Sequence, residues 1–236
     1  MTALAHAAEE WSRIHRVRAG RWNVRYRQAG EGPALVLVHG LGLSADFWMR
    51  NGAPLAAAGF RVLAPDLPGF GRTEGPVGLS IPAQAEAVAE WADALALGPA
   101  AYVGHSISCQ TILQLAADDP QRATALVLAA PTGDPRPFRL TRQAVGFAAA
   151  VFVEPPDLIP AVGEPYLRAG VVRWLRTWIA GGRHDVLPLA ERVRAPSLVV
   201  IGRRDTVVRP AFARGLAEAL PAGRVAVAEH GAHGVV

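Results

Sequence analysis

The sequence predicts an α/β protein: a doubly wound, mostly parallel sheet carrying a small helical cap. Three observations lead there. Six short apolar runs recur along the chain, stretches of helical length separate most of them, and one interval of about 65 residues breaks the rhythm.

The runs are "PALVLVHG" (33–40), "FRVLAPD" (60–66), "AAYVGHS" (100–106), "TALVLAAP" (124–131), "PSLVVIG" (196–202) and "RVAVAEH" (224–230). Each is apolar without alternation and closes on Gly, Pro, Asp or His, as expected of strands buried on both faces of a parallel sheet. Helices fit between them at about 44–58, 80–97, 107–118 and 210–219. Ahead of the first run, "RIHRV" and "WNVRYRQ" alternate with period two and predict a half-exposed antiparallel pair at a sheet edge.

The long interval, between Ala130 and Ser197, exceeds what a crossover between parallel strands requires. It holds "TRQAVGFAAAVFV", a break at "EPPDLIPAVGEP", and "YLRAGVVRWLRTWIAGG", with Gly181 and Gly182 ending the last helix. So short a segment has little core of its own. The expected division is a core of residues 1–132 and 195–236 with a helical cap inserted at 133–194.

Composition narrows the class. A chain of 236 residues, 51% hydrophobic, can bury one large core. The single cysteine, Cys109, excludes an internal disulfide and offers no metal cluster. The net charge of +4 comes from arginine alone, since the chain has no lysine, and the arginines are scattered rather than clustered with aromatics. That pattern argues against a nucleic-acid partner. The first ten residues lack the apolar core of a secretory signal, and no run reaches the roughly 18 uncharged apolar residues of a membrane span. A soluble, cytoplasmic protein with no membrane partner is expected.

In open parallel sheets the ligand lies outside the carboxyl ends of the strands. Ser106 stands there, in "VGHSISCQ", between a strand and a helix, which is the setting of a nucleophile elbow. Serine is a weak nucleophile by itself and needs a base held in its working tautomer by a carboxylate. Asp205, three residues past Gly202, and His233, just past the last run, fall at the same sheet edge. Asp134 is a second candidate acid and His230 a second candidate base. His39 and His105 suit bracing of the neighbouring loops, and Asp66 suits ordering of its own loop through backbone amides. Cys109 lies inside the helix, where it packs as a small apolar residue.

The ordered set "LVHGLG", "APDLPGFGRT", "VGHS", "IGRRDTVV" and "HGAHG" resembles the α/β-hydrolase superfamily in its capped serine-hydrolase branch, from about residue 20 to the end excluding the cap. The resemblance implies Ser106 as nucleophile, Asp205 as orienting acid and His233 as general base. It also implies an oxyanion hole from the backbone amides of Leu41 and Ile107, with Gly40 and Gly42 letting the chain pass close to substrate. Two departures stand out. Ser108 replaces the last glycine of Gly-x-Ser-x-Gly, and its hydroxyl is expected to turn back to a helix carbonyl. The family usually continues into a final helix; a sheet without one would expose apolar surface and favour a homo-oligomer.

Substrate contacts should come from the cap. Trp174 and Trp178 share a helix face at i and i+4, with Val171, Leu175 and Ile179 near them, and Phe138, Phe147, Phe152 and Tyr166 add aromatic bulk. Arg139, Arg142, Arg173 and Arg176 are candidates for orienting a carboxylate or for a solvated cap surface. The reading is a serine hydrolase of a small carboxylic ester or lactone, acting through an acyl-enzyme with no metal or organic cofactor implied. The alternatives are a carbon–carbon hydrolase of vinylogous diketone acids and a non-catalytic ligand-binding protein on the same fold.

Overall fold

The computed structural model describes residues 2–135, 139–150, 152–154 and 159–235. Each of the six apolar runs forms a strand: β3 (Ala34–Val38), β4 (Arg61–Pro65), β5 (Ala100–His105), β6 (Ala123–Ala129), β7 (Ser197–Gly202) and β8 (Gly223–Ala228). The alternating pair ahead of them forms β1 (His15–Ala19) and β2 (Trp22–Ala29), joined antiparallel. Among the described residues these make one eight-stranded sheet in the order β1-β2-β4-β3-β5-β6-β7-β8. All pairings from β4 to β8 are parallel. The order reverses between β3 and β5, which makes the crevice beyond their carboxyl ends the place where this class of sheet holds ligands.

The helices that follow the strands are α2 (Gly52–Ala57), α3 (Ile81–Ala94), α4 (Ser108–Asp118) and α9 (Pro210–Ala219). Ser80 caps α3 by accepting from the Ala83 amide, and Pro82 sits in its first turn. The larger core lies on the face where Val36, Val38, Tyr102, Leu126 and Leu128 meet Trp91 of α3 and Ile112 and Leu113 of α4.

Four features depart from the sequence expectation. Ala3–Ser12 forms an additional helix, α1, whose Trp11 is 1% exposed and closes a second core with Leu35, Leu37, Val62 and Trp48. The 44–58 segment is split into a 3-10 turn at Ala45–Trp48 and α2, because α2 starts under Trp11. A Cβ on Gly52 would stand 1.9 Å from Trp11 Cε2, so only glycine allows that approach. β2 is not half-exposed: Val24, Arg25, Tyr26 and Arg27 are all buried, since α1 covers one face and the 66–73 loop the other. Burial on both faces fails beyond β5, where Ala125, Val127, Leu198 and Val200 are half-buried.

The 65-residue interval carries α5 (Arg139–Ala150), α6 (Ile159–Ala169), α7 (Val171–Arg183) and the short α8 (Leu187–Ala190). The segment expected to break, "IPAVGEP", is helical in α6 with Pro165 inside it. The break falls instead at Gly170, whose φ of 72° separates α6 from α7. Gly181 and Gly182 do not end α7 but lie in its last turns, for a reason found at the site below. Val171, Leu175 and Ile179 are exposed, so they are not companions of Trp174 and Trp178 on a buried face. Phe138 lies outside the described residues. No helix among the described residues is long and apolar enough to cross a membrane.

A buried charge network fixes the loops after β3 and β4. Arg25 donates to Asp66 Oδ1 (3.1 Å) and to Asp46 Oδ1 (2.6 Å), and Arg27 Nε donates to the same Asp46 oxygen (2.6 Å). The two Asp66 oxygens also accept the Ala45 and Arg72 amides, both at 2.7 Å. Burial disfavours the Arg25 charge, but the two carboxylates outweigh it and raise its pKa. Removing one partner of such a pair leaves an uncompensated buried charge. Asp66→Ala should therefore lose about 3 kcal/mol or more of stability in urea unfolding; a loss within error of zero would show that the network is immaterial.

Candidate active site

Ser106 follows β5 on a turn too tight for ordinary backbone. Its φ is 56°, the left-handed region that non-glycine residues avoid. Its amide donates to Ala129 O at 2.9 Å and its carbonyl accepts the Thr132 amide at 3.4 Å, so β6 holds the turn in place. The chain enters at Gly104, where a Cβ would meet Ser108 O at 2.7 Å, which explains the glycine two residues before the serine.

Three of the sequence candidates meet here. His233 Nε2 lies 3.0 Å from Ser106 Oγ, and His233 Nδ1 lies 3.1 Å from Asp205 Oδ2. Because a carboxylate only accepts, the Nδ1–H donates to Asp205 and Nε2 is left as the acceptor facing the serine hydroxyl. Asp205 Oδ1 accepts the amides of Val207 (2.7 Å) and Val208 (2.9 Å). Burial works against the Asp205 charge, but the hydrogen bond and charge of His233 together with these amides hold its pKa below the usual value. His230 is exposed, and Asp134 lies instead beside Arg209 at 3.5 Å.

The bracing histidines have specific partners. His39 Nδ1–H donates to Gly40 O (2.9 Å) and Nε2 accepts the Leu67 amide (3.0 Å), tying the loop after β3 to the loop after β4. His105 Nε2–H donates to the His233 carbonyl at 2.9 Å, so the residue before Ser106 holds the backbone of the residue beside it. A Cβ on Gly40 would stand 2.7 Å from His105 Nδ1, which is what requires glycine there. Burial, with His233 adding a smaller effect in the same direction, pushes the His105 pKa down to about 3. Burial likewise lowers that of His39. The Cys109 thiol is fully buried against Gly104 O and Ala129 O, and burial raises its pKa, as befits a packed residue.

The Leu41 and Ile107 amides take no hydrogen-bond partner among the described residues. Their side chains, with Ser106, Phe147 and Trp178, line a small cavity of about 10 Å³, room for roughly one water. Gly181 of α7 forms part of its wall: a Cβ there would lie 2.6 Å from Ile107 Cδ1, so a larger residue would displace that side chain. Trp174 is outside the lining. It packs at a tilt against Trp178 (5.3 Å) and edge-on against Phe147 (5.9 Å) above Gly42, while Phe147 meets the His233 ring edge-on at 5.6 Å.

Arg142 and Arg173 attach the insertion to the core through backbone carbonyls, Val207 O and Gly69 O respectively. Thr206 Oγ donates to Gly146 O (2.8 Å), and Glu154 accepts the Gly234 amide (2.9 Å). The loops bearing Asp205 and His233 are thus each fastened to the β6–β7 insertion. Phe152 is 89% exposed and takes no part.

With this geometry in view, the sequence comparison is decisive on one point. Residues 33–169 match the description of the alpha/beta hydrolase fold. The chain belongs to that family. As an alpha/beta hydrolase it is 35% identical over 120 residues to a 2-hydroxy-6-oxo-6-phenylhexa-2,4-dienoate hydrolase of Burkholderia cepacia, covering 48% of this chain and 41% of that one. It is 27% identical over 234 residues to a protein of Stutzerimonas stutzeri provisionally named a carbamate hydrolase, covering 88% and 87%. Its fold superposes on a thermophilic esterase of Thermogutta terrifontis with a TM-score of 0.80 at 20% identity, covering 94% and 92%. The chain spans about two fifths of the length of several curated relatives it matches.

Sequence reasoning missed three polar lining residues, Gln110, Thr132 and Gln143. Gln110 lies one helical turn beyond Ser106, the spacing at which a helical side chain shares a face with it, a signal that could have found it. The Ser108 hydroxyl also does not turn back on its own helix. It donates to His39 O, joining the start of α4 to the loop after β3. Ser108→Ala should cost about 1–3 kcal/mol in unfolding, because that buried carbonyl loses its donor; an unchanged midpoint would make the contact incidental.

The buried histidines set a pH dependence. Unfolded His105 binds a proton below about 6.5, whereas folded His105 does not until about 3, so unfolding takes up protons and stability falls with pH between those limits. His39 acts in the same direction, and Asp205 adds its loss only at the acid end. Unfolding free energy at pH 5 should be lower than at pH 7.5, by up to about 1.4 kcal/mol per pH unit per histidine. Equal stabilities at the two pH values would mean that these rings are not held neutral.

Proposed function

We propose that the protein is a serine hydrolase of small carboxylic esters or lactones, working through an acyl-enzyme with Ser106 as nucleophile, His233 as general base and Asp205 as its orienting acid. The observation that carries this is the pair of contacts on one imidazole, 3.0 Å to Ser106 and 3.1 Å to Asp205, made by a serine held at φ 56°. In this reading the residues 133–194 act as a cap over the carboxyl edge of a core formed by 1–132 and 195–236.

As Ser106 Oγ attacks the carbonyl carbon, its proton passes to His233 Nε2 and the carbonyl oxygen takes the negative charge. The amides of Leu41 and Ile107 receive that charge, and the Ile107 amide gains from its place at the start of α4. Collapse of the tetrahedral adduct expels the alcohol, which takes the proton from His233. Water then loses a proton to the same nitrogen as it attacks the ester on Ser106, and the acid leaves.

The cavity favours esters over the carbon–carbon alternative. A diketone acid needs a cation for its carboxylate, and among the described residues no arginine lines the cavity. The binding-protein alternative leaves the strained serine and the ordered imidazole without a use. Trp178 and Phe147 are placed to touch substrate, with Gly40 shaping the oxyanion loop and Trp174 supporting the aromatic wall.

A fluorophosphonate probe should label wild type once, at Ser106 by peptide mapping, with no labelling of Ser106→Ala. In His233→Ala the labelling rate should fall by orders of magnitude, since the hydroxyl loses its base. A folded wild type that resists the probe would remove the hydrolase reading.

A further inference from the structure

The cavity wall beside Ser106 is not purely apolar. Gln110 is 1% exposed, and its Nε2 donates to Thr132 Oγ at 3.1 Å. Its Oε1 is buried and has no partner among the described residues. Gly133 and Gly181 flank this side chain: a Cβ on either would reach ordinary contact with it, 3.5 Å from Cδ and 3.4 Å from Nε2 respectively. Gln143, the other amide in the wall, already accepts the Trp178 indole N–H at 2.9 Å.

A buried acceptor with no donor costs on the order of 1–3 kcal/mol, and a native protein offsets that cost with a water, an ion or a ligand at the site. Gln110 is on the first turns of α4, and the cavity it lines is the one that reaches Ser106. We infer that Gln110 is a specificity residue that reads a hydrogen-bond donor on the substrate, so that the preferred acyl group carries a hydroxyl or N–H beside the carbonyl carbon. This rests on the serine-hydrolase reading and deepens it. Thr132 anchors the amide at Nε2, which leaves Oε1 for the substrate.

Phenyl esters separate the possibilities: the isosteric pair 2-hydroxyacetyl and propanoyl, and the slightly larger 2-oxopropanoyl, which only accepts. Initial rates are read by acid release on wild type, Gln110→Met and Gln110→Leu, with probe labelling of Ser106 as the test of a competent fold. Wild type should favour 2-hydroxyacetyl over propanoyl, and both variants should lower that kcat/KM ratio about tenfold or more, which cancels the intrinsic reactivity of the esters. A ratio that the variants leave unchanged overturns the inference. So does a wild-type preference for 2-oxopropanoyl that the variants abolish, since the amide would then present its N–H. If neither variant folds, Thr132→Val, which releases the amide, should lower the ratio, and an unchanged ratio again overturns the inference. Failure of the underlying hydrolase reading looks different: no ester is turned over and Ser106 is not labelled in wild type.

Discussion

The carboxylate of Asp66, at the carboxyl end of β4, is the constraint on which the site edge of this sheet depends. It is fully buried and accepts from Arg25 Nη1 and from the amides of Ala45 and Arg72. Each of those partners belongs to a different piece of chain: the second strand, the loop after β3, and the loop after β4. An ionised group with several fixed donors has few alternative arrangements at similar energy, so the loop carrying Gly40 and Leu41 is fixed from behind. His39 adds a second tie between the same two loops through the Leu67 amide. The backbone proposed to receive the oxyanion therefore rests on a rigid support that lies away from the reacting atoms.

The other half of the site is organised around Ser106. Its left-handed conformation is tolerated because β6 and the start of α4 close on it from two sides, and because Gly104 leaves no side chain in the way. Ser108 turns an apparent defect of the elbow into a fastening. Its hydroxyl crosses to the His39 carbonyl and so joins the two loops that frame the cavity. His105 does the same for the imidazole, holding the His233 carbonyl while remaining neutral in a buried setting.

The β6–β7 insertion is bound to both of the late loops, through Arg142 and Thr206 on the Asp205 side and Glu154 on the His233 side. Asp205, His233 and the insertion are in this way parts of one hydrogen-bonded unit.

Strand runs, their order and the positions of Ser106, Asp205 and His233 were legible in the sequence, because period, punctuation and spacing are local properties of the chain. The family resemblance implied roles for the same residues, which are those proposed above. Burial of Arg25 and Arg27 was not legible. Their alternation in "WNVRYRQ" reads as solvent-facing, and only the arrival of α1 and of Asp46 and Asp66 from elsewhere makes them interior. Nor was the continuation of α7 through Gly181 and Gly182, since glycine ends helices by its local preference and stays inside one only where another surface comes as near as Ile107 does. Gln110 stands for the rest. The sequence shows a polar residue one turn past a serine, but whether it faces solvent, a partner or a substrate is settled by the walls that long-range packing places around it, here Thr132, Gly133 and Gly181.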